Sequence, residues 1–387
     1  MTRAFGLALL LAVPAAAQDG QPFKKPLQEP LDYRGPGREE PEPDVDEVVL
    51  GWFGPGDPHH PEFGDFWRGA TMALEEENAA GGYRGKPFRL VPAWSESPWK
   101  AGIGDVARLV YERGAWAILG GVDGTTTHLA VQIALKSHFL LLSPGSTDAT
   151  TDHANVPWLF SLAPSDEAVA PALADAVARV AKDGAFVVAS STDHDAHAAL
   201  VAVRRALAGK RLAPTSLVEL PTVDPDFAGL GALLLREQPR ALVVLAPSTV
   251  AGRLVREVRR AGWAGTIVGG ATLGRSAFAR AAGEAADGIL AWLPADEGEG
   301  RPAFAGAFAR RWGDPPDEAS ARGYDAVRLA AAAIRRAGLN RARIRDAVRE
   351  LSPWPGKGGR VRWTALGRND GCVRLARWAG GRLVPVD

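Results

Sequence analysis

Phe139-Leu140-Leu141-Leu142-Ser143-Pro144-Gly145-Ser146-Thr147 is the stretch that decides the fold. It opens with an uninterrupted apolar run, the pattern of a strand buried on both faces, and such strands belong to parallel sheets covered by helices. A proline, a glycine and two hydroxyl residues then replace the strand. The same arrangement occurs just upstream. Trp116–Leu119 reads as a strand, Gly120-Gly121-Val122-Asp123-Gly124-Thr125-Thr126-Thr127 as a glycine-rich loop, and Thr127–Lys136 as a helix. Further back, Val48–Trp52 and Phe88–Pro92 predict strands, and Ile103–Glu112 predicts a helix. Gly64–Ala80 predicts another, with Phe66, Ala70, Ala73 and Leu74 on one face and Gly81-Gly82 as its stop.

Downstream the alternation repeats. Ser165 is an N-cap candidate for a helix to about Ala181, with Asp166 and Glu167 suited to its positive end. Strands Ala185–Ala189, Ser216–Leu220, Ala241–Leu245, Thr266–Val268 and Gly288–Leu293 alternate with helices Ala196–Leu207, Phe227–Glu237, Thr249–Ala261 and Arg275–Ala282. Three helices over Ala303–Trp312, Ala319–Ala337 and Ala342–Leu351 precede short strands at Arg360–Trp363, Val373–Trp378 and Arg382–Pro385. This order predicts an α/β protein of two doubly wound parallel-sheet lobes. In such sheets ligands sit outside the carboxyl ends of the strands, so the loops that follow strands are the ones to watch.

Composition narrows the function. Among 387 residues, 45 basic and 45 acidic side chains cancel, which removes any electrostatic case for nucleic acid or an anionic membrane surface. The single cysteine, Cys372, excludes an internal disulfide and a cysteine-based zinc cluster. Arg3, the apolar run Phe5–Val13 and Ala15-Ala16-Ala17 read as a signal peptide over residues 1–17, too short to span a bilayer. Residues 18–46, with Pro22, Pro26, Pro30, Pro36, Pro41 and Pro43, read as a proline-rich disordered tether. The expectation is an exported, periplasmic protein, soluble after cleavage and not integral to a membrane.

Two glycine-rich loops at adjacent strand ends, Gly120–Thr127 and Ser143–Thr147, converge on one cleft, where free amides at a helix start favour an anion. Gly102-Ile103-Gly104-Asp105-Val106-Ala107 matches a dinucleotide fingerprint but follows Ser97-Pro98-Trp99-Lys100 rather than a strand, so no nucleotide cofactor is expected. His59-His60, and His194 with His197, read as solvated loop and helix-start residues, so no metal is expected. No G-x-S-x-G, H-E-x-x-H or P-loop is present, and no catalytic residue is assigned.

Taken in order, the chain resembles the type I periplasmic solute-binding proteins, the leucine/isoleucine/valine-binding group of ABC transport systems. The landmarks are Phe63-Gly64-Asp65, Asn78-Ala79-Ala80-Gly81-Gly82, both glycine-rich loops, Gly262-Trp263, Ala286-Asp287-Gly288-Ile289 and Tyr324-Asp325-Ala326-Val327. The resemblance implies two lobes joined by three hinge crossovers, near Ser161–Pro164, Trp292–Pro294 and Trp363–Leu366. Residues 47–163 and 294–363 would form lobe one, and 164–293 and 364–387 lobe two. It also implies a small amino-acid-like ligand, its carboxylate or amide held by Gly124, Thr125, Gly145, Ser146 and Thr147. Gly124 stands where a serine is usual, and Ala271 where an acid usually meets the ligand ammonium. Asp195 either supplies that acid from lobe two or is a helix cap beside a ligand that is not an amino acid. Ser248 and Thr272 are further lobe-two candidates. Phe63 is the aromatic at the mouth, and Trp52 a candidate platform, with Trp94 and Trp99 behind it. An ABC permease is the implied macromolecular partner; the alternative is a ligand-sensing or interaction protein of this fold without transport.

Overall fold

The computed structural model describes residues 33, 35–153, 155–181, 185–223, 225–296 and 298–386. β1 (Val48–Phe53), β2 (Phe88–Ala93), β3 (Ala117–Gly120), β4 (Leu140–Ser143) and β5 (Leu159–Ser161) form a parallel sheet in the order β2-β1-β3-β4-β5. Because side chains alternate across a strand, β1 serves two cores. Val48, Leu50 and Trp52 pack with α1 (Gly64–Ala79), while Val49 and Phe53 pack with α2 (Pro98–Tyr111) and α3 (Gly124–Ser137). α2 begins five residues before the expected start, since Pro98 takes the first helical turn, where its missing N–H costs nothing. Two short elements had no legible pattern: the single turn α4 (Thr150–His153) and the three-residue β5.

The chain then enters a second sheet. α5 (Asp166–Val180) starts as expected, with the Ser165 side chain accepting from the Ala168 N–H. β6 (Phe186–Ser191), α6 (His194–Gly209), β7 (Ser216–Leu220), α7 (Phe227–Glu237), β8 (Ala241–Leu245), α8 (Ser248–Arg260), β9 (Thr266–Gly269), α9 (Ser276–Ala282) and β10 (Leu290–Pro294) follow. Alternate residues of β6, β8 and β9 face α5 and α6 on one side and α7, α8 and α9 on the other.

From β10 the chain returns to the first sheet. α10 (Arg301–Trp312), α11 (Glu318–Ala337) and α12 (Arg341–Glu350) bury Phe304, Phe308, Val327, Ile334 and Val348 in the core that holds Trp52. The hairpin β11 (Trp354–Gly356) and β12 (Gly359–Val361) precedes a third passage to β13 (Val373–Ala379) and β14 (Arg382–Pro385). These last strands extend the second sheet antiparallel, giving the order β14-β13-β10-β9-β8-β6-β7. Each sheet with its covering helices is called a half below.

Residues 35–46 depart from the expected disorder. The Asn340 side-chain amide donates to the carbonyls of Gly37 and Arg38, Arg38 pairs with Asp346, and Tyr33 lies 4.5 Å from the Trp158 ring. Polar and aromatic partners on the first half thus order a segment whose prolines keep it out of the sheet. The expected signal peptide, and residues 18–32 and 34 of the tether, lie outside the described residues. No helix among the described residues is long and apolar enough to cross a membrane.

Candidate functional site

Loops following β1, β3, β4, β6, β8 and β9 converge on a crevice between the two sheets. A cavity of about 80 Å³ there is lined by Phe63, Gly145, Thr147, Asp195, Pro247 and Thr272, among others. That is small beside the 300–1,000 Å³ of drug-sized sites. A larger hollow of about 350 Å³, between the β10 end, the β11–β12 turn and Trp378, touches neither glycine-rich loop.

α3 opens on the first half with Asp123 as its N-cap, accepting from the Thr126 N–H at 2.7 Å. The next two amides face the crevice, and a carboxylate from the second half sits on them. Asp195 Oδ1 accepts from the Gly124 N–H at 2.5 Å, and Oδ2 accepts from the Thr125 N–H and hydroxyl at 3.2 and 3.3 Å. A Cβ at Gly124 would lie 2.7 Å from both Asp195 Oδ1 and the Asp148 Cβ, so glycine at this position makes room for both aspartates.

The exchange runs in the other direction as well. Glu62, on the first half, accepts from the Ser248 and Thr249 N–H groups at the start of α8, both at 2.8 Å. Asp317, the N-cap of α11, accepts from the first N–H of α9 at 2.8 Å, and Arg280 pairs with Asp65 at 2.6 Å. Each half therefore lends carboxylates to amides of the other, charge-assisted bonds aided by the positive ends of the helices.

Glu62, Asp123, Asp166, Asp193 and Asp195 line the cavity beside a single guanidinium, Arg275. Burial raises the Asp195 carboxyl well above its ordinary range, and the Asp123 charge adds to this, while the Gly124 and Thr125 amides oppose it. Asp123 is raised by burial, against its hydrogen bonds from Thr126.

Asp166 carries the clearest consequence. Burial pushes its carboxyl up from 3.8 to about 7, the Thr147 hydroxyl and the charges of Arg368 and Arg275 opposing and the Asp148 charge assisting. Its folded-state pKa is raised, so between pH ~4 and ~7 the folded protein holds a proton that the unfolded chain has released, and stability falls as pH rises through that window. A rise of that size corresponds to on the order of 4 kcal/mol by pH 8. Asp166→Asn is expected to match the parent at pH 4 and to melt higher at pH 8. Thermal unfolding at pH 4, 6 and 8 checks this, and a gap between the two proteins that fails to widen with pH refutes it.

The structure sorts the sequence-derived candidates. Gly145, Thr147, Phe63, Thr272 and Asp195 line the cavity, and Gly124 and Thr125 hold Asp195 at its edge. The Thr147 hydroxyl donates to Asp166 at 2.9 Å, and Phe63 stacks on His60 at 5.5 Å. Three candidates need correction. Trp52 is fully buried on the Leu50 face of β1, its Nε1–H donating to the Pro55 carbonyl, so it cannot serve as a platform. Ser146 is fully buried and outside the lining, although its neighbours Gly145 and Thr147 belong to it. Ser248 is also fully buried and outside the lining, its hydroxyl spent on the Thr272 carbonyl and its N–H on Glu62. The reading of Asp195 as a solvated helix cap is overturned too: Asp193 caps α6, and Asp195 reaches across the crevice. Sequence reasoning passed over Glu62, Asp123, Asp166, Asp193 and Arg275. The only signal of the four acids was acidity near helix starts, which also fits ordinary capping, and Arg275 gave none.

A crevice between two doubly wound sheets, reached from strand ends on both sides, defines a bilobed binding protein. A family model described as "Periplasmic binding protein" matches residues 58–382, and the chain belongs to that family. An "Amino acid binding protein" of Pseudomonas aeruginosa is 28% identical over 219 residues, 56% of this chain and 58% of that protein, so the match spans little more than half of the relative. The "Leucine-, isoleucine-, valine-, threonine-, and alanine-binding protein" of the same organism is 24% identical over 76% of this chain and 79% of its own length. Among solved structures, the branched-chain amino acid substrate-binding protein LivJ of Streptococcus pneumoniae, in complex with isoleucine, has a TM-score of 0.79 and 22% identity, covering 88% of this chain and all of that one. A solute-binding protein from R. palustris in complex with benzoate has a TM-score of 0.75 and 17% identity, covering 88% of this chain and 95% of that one. At these identities the structures speak for the fold.

Proposed function

We propose that this protein is an exported substrate-binding component of an ABC-type uptake system, taking a small amino-acid-like ligand into the crevice between its halves. The lobes in this reading are residues 47–163 with 294–363, and 164–293 with 364–387, and the three passages between them act as hinges. A signal peptide over residues 1–17 would direct export, and an ABC permease would receive the ligand.

The observation that carries the reading is the Asp195 carboxylate on the Gly124 and Thr125 amides. It marks a seat that accepts one carboxylate, at a helix start, on the far side from the lobe that supplies it. A ligand α-carboxylate takes that seat, and the displaced Asp195 meets the ligand ammonium, supplying from lobe two the acid that Ala271 does not. The five acidic side chains beside the lone Arg275 offer further partners for that ammonium. The names of the amino-acid-binding relatives agree with this class of ligand. Binding that is tighter in the closed form would then drive closure.

Thermal-shift measurements with amino acids, primary amides and small carboxylates test it. A ligand at 100 times its dissociation constant adds ~2.7 kcal/mol, a shift of several degrees. Amino acids are expected to raise the melting temperature, and Thr147→Val to weaken that response. If none of the three classes stabilises the protein, the assignment fails.

A further inference from the structure

Beside the crevice, two histidines and an aspartate meet across the gap between the halves. His128 lies on α3 and Asp148 in the loop after β4, both on the first half; His194 is the first residue of α6 on the second. His128 Nε2 is 3.0 Å and His194 Nε2 2.8 Å from the same oxygen, Asp148 Oδ2. The imidazole rings meet edge to face at 5.1 Å, and Asp148 is fully buried. His197, the partner that sequence spacing suggests for His194, is exposed and takes no part.

Hydrogen bonding alone serves this cluster poorly. Asp148 Oδ2 also receives the Thr150 hydroxyl at 2.8 Å, so three groups crowd an oxygen with about two acceptor sites. The Thr150 hydroxyl also lies 3.0 Å from His128 Nε2. A cation between the imidazoles and the carboxylate relieves this crowding: both Nε2 atoms turn their lone pairs to it, Oδ2 binds it, and Thr150 keeps its hydrogen bond to the carboxylate. The three ligand atoms lie within 4.8 Å of one another. Tetrahedral zinc, with bonds of about 2.0–2.2 Å, needs ligand atoms ~3.4 Å apart, so the two N···O separations widen by about half an ångström and the two Nε2 atoms, at most 4.8 Å apart, draw together. Two imidazoles and one carboxylate select zinc or a similar transition metal over calcium or magnesium, which prefer all-oxygen sites. Both histidines are partly exposed, leaving a fourth position for water.

We propose that His128, Asp148 and His194 form a zinc-type divalent metal site whose ligands come from both halves, so that one ion ties the halves together. It adjoins the ligand crevice through Asp195 but does not depend on the ligand reading, since its residues and its probe are separate.

Calorimetric titration of the chelator-stripped full chain with Zn²⁺ tests the proposal. One ion per chain is expected for the parent, with Ca²⁺ and Mg²⁺ giving no comparable binding. His128→Ala and His194→Ala are each expected to weaken Zn²⁺ binding by at least ~10-fold, the scale that outer-shell losses alone produce. Both should keep the parent's melting temperature in chelator, showing an intact fold. His197→Ala, one turn along α6, should bind as the parent does. Parent-like binding by His194→Ala would overturn the bridge, since the ion would then belong to one half. Equal losses in His197→Ala and His194→Ala, or a parent that binds no tighter than the His128→Ala/His194→Ala double variant, would overturn the site.

Discussion

Arg368→Met is expected to destabilise the protein by about 3–5 kcal/mol, the range for removing one partner of a buried ion pair. Arg368 is nearly fully buried on the third passage between the sheets, and its guanidinium is fully committed. Nε and Nη2 form a fork on Asp152 at 2.7 and 2.9 Å, Nη1 donates to the Ser146 carbonyl at 2.6 Å, and Nη2 reaches the Asp148 carbonyl at 2.9 Å. Methionine keeps much of the packing volume and removes every donor. Asp152, already raised by burial against the Arg368 charge, is then left without its cation. Arg368→Lys should fall between, since an ammonium cannot reproduce the planar fork. Asp152→Asn should recover part of the loss when combined with Arg368→Met. Urea unfolding at pH 7 measures all three; a loss below about 1 kcal/mol for Arg368→Met, the median worth of an exposed pair, would show that the hub is not structural. Because the same guanidinium holds the backbone on either side of Thr147, ligand binding should weaken along with stability.

Asp195→Ala is expected to reverse ligand preference. Under the proposed function Asp195 competes for the carboxylate seat and then partners the ligand ammonium. Alanine does neither. Amino acids should bind more weakly by about 2–5 kcal/mol, at least ~30-fold, because a buried ammonium loses its counter-charge. Small carboxylates without an ammonium should bind more tightly than to the parent, since the seat is free. Gly124→Ser sharpens the test. In the parent its Cβ collides with Asp195 Oδ1, so the contact across the crevice should break. In the Asp195→Ala background the added Cβ still lies 2.7 Å from the Asp148 Cβ, so the double variant separates that crowding from the loss of Asp195. Competition titrations with an amino acid and with propionate, on all four proteins, decide the matter; unchanged affinity for both ligands in Asp195→Ala would end Asp195's part in binding.

The architecture was legible because strands buried on both faces leave a continuous apolar signature, and loops at strand ends follow from chain direction alone. Elements of three or four residues, such as β5 and α4, are too short to show a period. The glycine-rich loops do lie at strand ends beside the crevice, but the sequence does not separate their individual residues. Gly145 and Thr147 line the crevice and Ser146 does not, because beyond the end of β4 no strand period tells which side a residue faces. Trp52 was misjudged too: its place at a strand end suggested a mouth, whereas the alternation shared with Val48 and Leu50 turns it inward. The acidic lining stayed hidden for another reason. Asp195 and Gly124 lie 71 residues apart, and the pairing of Glu62 with the start of α8 spans 186. No local pattern carries a contact of that range, and each acid alone looks like a cap. Asp195 was singled out only because the resemblance left the ammonium without a partner, and the structure moved it to the carboxylate's place instead.

The carboxylates exchanged across the crevice have a bearing on selectivity. Asp195 is attached to the same chain as the amides it occupies, so any free carboxylate contends with a rival held at an effective concentration of millimolar order or higher. Dilute acetate or formate gains little by displacing it, because one carboxylate replaces another and nothing else changes. A molecule that also carries a cation does more, since it gives the ejected side chain a new partner. Under the proposed function, self-occupancy would act as a threshold: it would discount the half of an amino acid that is chemically common and reward the two charges together.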